Sequence, residues 1–113
     1  MLPRFSTKVL ALCLALVIPL AAVAANPLWI DVRSASEFDT GHVSDALNIP
    51  YNEIAEEIKL LDLDKDAVIY VYCRSGRRSG IAKETLEGMG YSGVVNIGGF
   101  EDALKKANQK TGR

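Results

Sequence analysis

The feature that most constrains the fold of this chain is an unbroken run of apolar and aromatic residues at Val68–Tyr72, which ends directly at Cys73. Three of its members are β-branched, and a short apolar run without alternation is typical of a strand that is covered on both faces. Strands of that kind occur mainly in parallel sheets with helices on either side. The sequence therefore predicts an α/β protein in which Cys73 stands at the carboxyl end of a buried strand.

Further elements alternate along the chain. Short apolar segments at residues 28–32, 46–49 and 94–97 predict three more strands, with helical segments between them. This alternation predicts a doubly wound, mainly parallel sheet of about five short strands flanked by helices. Ligand sites in such folds lie beyond the carboxyl ends of the strands, which is where Cys73 is expected.

The predicted helices carry local start signals. Ser34 and Glu37 have the spacing of a capping box, which predicts a short helix that Gly41 ends. A second, amphipathic helix is predicted from near Asn52, and a terminal helix from about Phe100. The predicted apolar stripe of the amphipathic helix consists of Ile54, Ile58 and Leu61.

A cationic, glycine-containing loop follows Cys73 and leads into a helix that is predicted to reach Met89, with Gly90 and Tyr91 as its C-terminal cap. The predicted substrate-binding loop consists of Arg74, Ser75, Gly76, Arg77, Arg78 and Ser79. Free N–H groups and the positive end of the helix dipole favour an anion at this position. They are expected to lower the pKa of Cys73 from about 8.5 into the range of roughly 3.5 to 7.5 found for activated cysteines. An inert core cysteine is the alternative, and the glycine and arginines beside Cys73 favour a nucleophile.

The individual side chains of the loop have alternative interpretations. Arg78 is predicted to point inward and to bind an oxyanion with its guanidinium fork. Arg74 and Arg77 fit either that role or an exposed basic surface. The Ser75 and Ser79 hydroxyls are candidate hydrogen-bond donors to the bound group. For Ser79, capping of the following helix is an equally good interpretation.

The beginning of the chain has the pattern of a secretory signal peptide. Positive charges precede an apolar run at residues 9–20, and cleavage is expected after Ala24 or Ala25. The sequence therefore predicts a signal peptide at residues 1–24, a domain at residues 25–113 and a periplasmic protein with no stable membrane association after cleavage. The apolar run is shorter than the about 20 residues that span a membrane, and an uncleaved N-terminal anchor is the alternative.

About 88 residues remain after the predicted signal peptide, enough for one modest hydrophobic core. Their composition limits the kinds of site and partner that are expected. Cys73 is the only cysteine outside the predicted signal peptide, so it has no partner for an intramolecular disulfide, and either a free reactive thiol or an intermolecular pairing is expected. The formal net charge of the chain is −1, which gives no reason to expect a nucleic-acid partner. His42 is the only histidine, so no Cys/His metal site is expected. No cofactor is expected either.

Two motifs carry a family resemblance. The first comprises Asp31-Val32-Arg33, Glu37-Phe38, Gly41-His42-Val43 and Ala46-Leu47-Asn48-Ile49-Pro50, and the second is Tyr72-Cys73-Arg74-Ser75-Gly76-Arg77-Arg78-Ser79. They resemble the N-terminal signature and the active-site loop of rhodanese domains, and the resemblance covers essentially all of the chain after the predicted signal peptide. It is strongest to the small single-domain rhodaneses of the periplasmic, phage-shock type.

The resemblance implies a thiosulfate sulfurtransferase that works by double displacement. Cys73 would take the outer sulfur from thiosulfate or a related sulfane-sulfur donor and hold it as a persulfide. Cyanide, a small thiol or a thioredoxin-like protein would then accept that sulfur. The signature residues Asp31, Arg33 and His42 are interpreted as a structural polar network near the end of the first strand.

Two other functions fit the same pattern. A Cdc25-like phosphatase or arsenate reductase shares the architecture and the Cys-loop-Arg motif, but its loop is one residue longer than the four residues that separate Cys73 from Arg78. The family comparison implies that the shorter loop suits a sulfur atom better than a phosphate. The second alternative is a persulfide carrier or redox interaction module, and the presence of Cys73 within a basic loop favours an enzyme over a module that has lost its chemistry.

Overall fold

A computed structural model describes residues 26–110 of the 113-residue chain. The strands are β1 at Leu28–Asp31, β2 at Leu47–Asn48, β3 at Val68–Tyr72 and β4 at Gly93–Gly98. The helices are α1 at Ala35–Asp39, α2 at Ile54–Glu57, a 3₁₀ helix at Ile58–Leu61, α3 at Arg77–Gly88 and α4 at Phe100–Lys110. None of these helices is long and apolar enough to cross a membrane. The predicted signal peptide, residues 1–24, lies outside the described residues.

Within the described residues the strands form one parallel sheet in the order β2-β1-β3-β4. Ile30 of β1 pairs with Leu47 on one side and with Val71 on the other, so β1 and β3 lie in the centre. The predicted α/β class with a parallel sheet flanked by helices is confirmed. The described sheet has four strands rather than the expected five or so, because each predicted apolar segment supplies one strand and the polar stretches between them form helices and turns.

Apolar side chains are buried on both faces of the sheet, which explains why β3 lacks the alternation of a half-exposed strand. One core joins the sheet to α2, the 3₁₀ helix and α3, and includes Ile30, Ile69 and Val71. The other contains Trp29 and packs against α4. Cys73 belongs to the first core, so the predicted nucleophile lies at the boundary between apolar packing and the loop that follows it.

Two helix ends follow their local sequence signals. The Ser34 hydroxyl accepts a hydrogen bond from the Glu37 N–H, and the Glu37 carboxylate accepts one from the Ser34 N–H, which completes the capping box. After α3, Gly90 has a φ of +101° and the Tyr91 N–H donates to the Leu86 carbonyl. These two predictions are confirmed because both depend on contacts within a few residues.

The second helix is shorter than predicted. Only Ile54–Glu57 is α-helical, and the chain tightens at Ile58 into a 3₁₀ helix. Ile54 and Ile58 are buried as predicted, whereas Leu61 is exposed. Leu61 is the last residue of the 3₁₀ helix, directly before Asp62, whose left-handed backbone with a φ of +51° ends the helix, and its side chain lies at this exposed end.

Candidate active site

Cys73 lies directly after β3, between the carboxyl ends of the neighbouring strands β1 and β4. Its backbone N–H donates to the Gly98 carbonyl over 3.0 Å, and the Tyr72 carbonyl before it accepts from the Val32 N–H over 3.0 Å. Only 1% of the Cys73 surface is exposed. The charge state of a thiol shielded in this way depends on the hydrogen-bond donors that surround it.

The loop after Cys73 turns back over the sulfur. Gly76 holds the N-terminal cap position of α3 with a φ of +106°, a left-handed conformation that favours glycine. This turn brings the Gly76 N–H to a donor–acceptor distance of 2.9 Å from Cys73 Sγ. The backbone therefore supplies a donor at the atom where a thiolate charge would develop.

The loop is held against the turn between β4 and α4. Ser75 and Gly99 form an antiparallel bridge, and a Cβ atom at Gly99 would lie 2.6 Å from the Arg74 carbonyl oxygen. No side chain fits at residue 99 unless the backbone moves. Glycine here permits the close approach that fixes the first part of the loop over Cys73.

Ser79 faces the sulfur and does not cap α3. Its side chain is buried, and its Oγ lies 3.4 Å from Cys73 Sγ and 2.6 Å from Asn96 Oδ1. The cap position belongs to Gly76, which makes no side-chain cap hydrogen bond. Of the two interpretations that the sequence leaves open for Ser79, the structure therefore favours contact with the thiol.

The pKa of Cys73 is lower than that of an ordinary cysteine. Burial of the sulfur raises this pKa, but hydrogen bonds outweigh that effect. They come from the Ser79 hydroxyl and from the backbone N–H groups of Ser79, Ser75 and Gly76. The expected direction of the shift thus agrees with the geometry, and backbone and hydroxyl donors account for it more than the arginines do.

The structure corrects the predicted inward role of Arg78. Its guanidinium forms a bidentate ion pair with Glu37, with Nη1–Oε1 at 2.9 Å and Nη2–Oε2 at 3.1 Å. The hydrogen bonds from Arg78 are the main reason why the pKa of Glu37 falls to about 2, and Glu37 in turn raises the pKa of Arg78. Because both terminal nitrogens are engaged, Arg78 fastens α3 to α1 and is not free to grip an oxyanion.

The other two arginines of the loop lie on the surface. Arg74 and Arg77 are both exposed, and Arg74 Nη1 is 3.9 Å from Glu37. A cavity of about 250 Å³ beside the loop is lined by Arg33, Glu37, Thr40, Arg74 and Phe100. Both exposed arginines are open to solvent, and of the two only Arg74 lines this described cavity, where a soluble anion can approach.

Two of the three residues of the predicted polar network are joined. Buried Asp31 and Arg33 form an ion pair with Nη2–Oδ2 at 2.6 Å, and the same nitrogen of Arg33 donates to the Gly41 carbonyl. His42 does not join the pair: its exposed ring stacks on Phe38 and its Nδ1 lies 2.8 Å from the Phe38 carbonyl oxygen. The turn after α1 directs His42 toward α1 instead of toward β1. Among residues 26–110, no group of three or more acidic, histidine or cysteine side chains is placed to hold a metal ion.

Sequence reasoning missed two residues of the site. Glu37 is recognised from its capping-box spacing, but its pairing with Arg78 spans 41 positions. Asn96, on β4, contacts Ser79 from 17 positions away, and no motif in the sequence includes it. The only available signal for Asn96 is a polar residue within an otherwise apolar strand segment, beside the edge where Cys73 was expected.

Comparison with known proteins is consistent with this arrangement. Residues 20–106 match the family described as Rhodanese-like domain. The chain is 47% identical over 91 residues to thiosulfate sulfurtransferase PspE of Escherichia coli strain K12, covering 80% of this chain and 86% of that protein. It is 40% identical to thiosulfate sulfurtransferase GlpE of Pseudomonas savastanoi, covering 64% and 67% of the two chains.

Solved structures show the same likeness. A rhodanese with anions from E. coli superposes with a TM-score of 0.65 at 45% identity, covering 68% of this chain and 91% of that one. The family match, over residues 20–106, includes both motifs and Cys73. On this evidence the chain belongs to the family of rhodanese-like domains.

Proposed function

We propose that this protein is a sulfurtransferase that moves sulfane sulfur from thiosulfate, or a similar donor, through a persulfide on Cys73 to cyanide or a thiol. The observation that carries the proposal is the Gly76 N–H, which lies 2.9 Å from a buried thiol whose pKa is lowered. The names of relatives that are 47% and 40% identical support the reaction and the donor.

The first half-reaction is a displacement at sulfur. The Cys73 thiolate attacks the outer sulfur of thiosulfate, a new S–S bond forms, and the old S–S bond breaks with its electron pair leaving on sulfite. Cys73 then carries an anionic persulfide. In the second half-reaction cyanide attacks the outer sulfur, thiocyanate leaves and the Cys73 thiolate is restored. A thiol acceptor takes the sulfur in the same way and becomes a persulfide itself.

The loop suits an anion at Cys73 in both half-reactions. Gly76 and its neighbours present N–H groups toward Sγ, and the Ser79 hydroxyl adds a further donor. Such groups stabilise the negative charge on the thiolate and on the persulfide without first having to reorganise. No general base is required in this scheme, because the displacement starts from a thiolate that the loop already favours.

The Glu37–Arg78 pair favours sulfur transfer over the phosphatase or arsenate reductase alternative. Phosphate-handling loops rely on a guanidinium that is free to clamp two oxygens. Here Arg78 is held by Glu37, and Gly76 closes the short loop onto Sγ. We expect the ratio of thiosulfate turnover to aryl-phosphate turnover to be high. A residue inserted between Gly76 and Arg78 should lower that ratio, and a wild type that prefers phosphate would contradict the proposal.

The proposal also covers where the protein acts and which molecule accepts the sulfur. The pattern at residues 1–24 supports an exported, periplasmic protein whose domain at residues 25–113 is released by cleavage. Mass analysis of the exported form should find Ala25 or Asn26 at its N-terminus, whereas a membrane-bound form that retains Met1 would show an anchor. The persulfide-carrier alternative predicts sulfur delivery to one thioredoxin-like protein and little turnover with cyanide.

The proposal is tested by thiosulfate-to-cyanide transfer with a matched variant. Cys73→Ser should abolish thiocyanate formation because a hydroxyl is a far weaker nucleophile at neutral pH. Its circular dichroism and thermal midpoint serve as the control for folding. A folded Cys73→Ser protein that retained substantial turnover would rule out Cys73 as the sulfur carrier.

A further inference from the structure

The amide side chain of Asn96 contacts three groups of the active-site loop and its support. Its Nδ2 donates to the Gly76 carbonyl over 3.1 Å. Its Oδ1 accepts from the Gly98 N–H over 3.0 Å and from the Ser79 hydroxyl over 2.6 Å. The strand register shifts between Val71 and Tyr72, where β4 passes from Asn96 to Gly98. This irregularity lies next to the position from which Asn96 reaches the loop, and bulges of this kind commonly redirect a side chain.

The Ser79 hydroxyl has one proton and three acceptors within reach. Asn96 Oδ1 is at 2.6 Å, the Gly76 carbonyl at 3.1 Å and Cys73 Sγ at 3.4 Å. A hydroxyl can donate to only one of them fully at a time. The shortest contact is to Asn96, so the proton of Ser79 lies toward Asn96 when Cys73 is a neutral thiol.

We propose that Asn96 is a positioning residue that holds the Ser79 hydroxyl proton away from the sulfur of Cys73 until the thiolate forms. The inference rests on the proposed role of Cys73 as nucleophile. In the thiol form, Ser79 donates to Asn96 and its oxygen accepts the S–H of Cys73. In the thiolate form, the Ser79 hydroxyl turns and donates to the sulfur.

The exchange leaves no polar group unsatisfied. When Ser79 turns, Asn96 Oδ1 keeps the Gly98 N–H and Nδ2 keeps the Gly76 carbonyl. Asn96 thus competes with the thiolate for a single donor while it holds the rest of the loop in place. Removing this competition should stabilise the thiolate, which is the opposite of what a purely structural support would do when removed.

Charged groups around the loop do not replace this contact. The charged groups of the loop and of the elements packed around it are Arg74, Arg77 and Arg78 of the loop and α3, Arg33 after β1, Glu37 of α1, and Asp102 of α4. Glu37 is paired with Arg78, and Asp102 accepts from the Gly99 N–H. Among the described residues, none of these charges forms a hydrogen bond with the Ser79 hydroxyl, so the competition between Asn96 and Cys73 can be measured separately from them.

The experiment measures the rate of Cys73 alkylation by iodoacetamide against pH, which reports the thiol pKa without using sulfur transfer. Asn96→Ala should lower this pKa by about 0.4 to 1 pH unit, the equivalent of one neutral hydrogen bond. Ser79→Ala should raise it. In the Ser79→Ala background, Asn96→Ala should leave the pKa of Cys73 unchanged, because the hydroxyl for which Asn96 and Cys73 compete is gone. Val95→Ala, an exposed neighbour on β4, is the matched control and should leave the pKa unchanged.

Several results would overturn the proposal. They are an unchanged or higher pKa in Asn96→Ala, and an equal fall with and without Ser79. If Asn96→Ala does not fold, the isosteric Asn96→Asp replaces it: a carboxylate is a stronger acceptor for Ser79, so the thiol pKa should rise, and this rise should shrink in Ser79→Ala. A rise of the same size in both backgrounds would show that Ser79 is not the route. A separate assay for a thiosulfate-derived adduct on Cys73 decides the proposed function, so the two can fail independently.

Discussion

At the scale of single residues, a few atoms around Cys73 determine its chemistry. The donors are mainly backbone N–H groups and the Ser79 hydroxyl, which lower the pKa of a thiol that burial alone would raise. The geometry depends on Gly76, whose left-handed backbone directs its N–H at the sulfur. A side chain at that position would strain the turn.

Gly76→Ala is expected to destabilise the protein by about 1 to 2 kcal/mol and to reduce sulfur transfer, because alanine disfavours a φ of +106°. Gly88→Ala is the matched control within the same helix, since nothing lies within 4 Å of a Cβ there. That change should be neutral or stabilising by up to about 1 kcal/mol. Urea unfolding and thiocyanate formation measure both variants, and equal effects at the two glycines would contradict the role given to the turn.

At the scale of elements, the site is assembled by links between segments that are distant in sequence. Glu37 completes the cap of α1 and also holds Arg78 at the start of α3, so one carboxylate joins two helices. Both partners are about three-quarters buried, with side-chain exposures of 24% and 23%. The pair is therefore less screened by solvent than a surface ion pair.

A double-mutant cycle on Glu37→Gln and Arg78→Met should give a coupling free energy of about 1 to 2 kcal/mol. The exposed pair Lys83–Glu87 on α3, four residues apart, is the control and should give about 0.3 to 0.5 kcal/mol. Coupling at Glu37–Arg78 no larger than at the control pair would show that the link does not hold α1 and α3 together.

The same pair predicts a pH dependence of stability. The pKa of Glu37 is about 2 in the folded protein, below its ordinary 4.5, chiefly because of the hydrogen bonds from Arg78. Its stabilising contribution is therefore complete above about pH 4.5 and is lost as the pH falls toward 2. The difference in unfolding free energy between wild type and Glu37→Gln should shrink over that interval, and a constant difference would contradict the assignment.

These links also show where sequence reasoning succeeds and where it fails. The strand before Cys73, the capping box at Ser34 and the cap at Gly90 depend on neighbouring residues, so local patterns predict them. The Glu37–Arg78 pair and the Ser79–Asn96 contact join different elements, and nothing local marks them. The shared signature groups His42 with Asp31 and Arg33, but the turn after α1 directs its ring onto Phe38.

At the scale of the whole molecule, the central strands serve both stability and function. β1 and β3 are covered on both faces by buried apolar residues. The same residues hold the carboxyl end of β3 in place, and Cys73 follows directly after it. A small domain of this size has few buried residues to lose, so a single cavity should weaken the whole fold and the site together.

Ile69→Ala should lower the free energy of unfolding by about 2 to 5 kcal/mol, because Ile69 is fully buried in β3 and the change leaves a cavity. Val68→Ala, one residue earlier and 45% exposed, is the control and should cost about 1 kcal/mol or less. Urea unfolding gives both values, and similar losses at the two positions would contradict the burial that the fold assigns.

The central claim, that Cys73 carries sulfur, is tested most directly by intact mass spectrometry of the purified protein after incubation with thiosulfate. The account predicts an adduct of one sulfur atom that maps to Cys73, disappears when cyanide is added and does not form in Cys73→Ser. A folded wild-type protein that gains no sulfur, or an adduct that persists in Cys73→Ser, would contradict it.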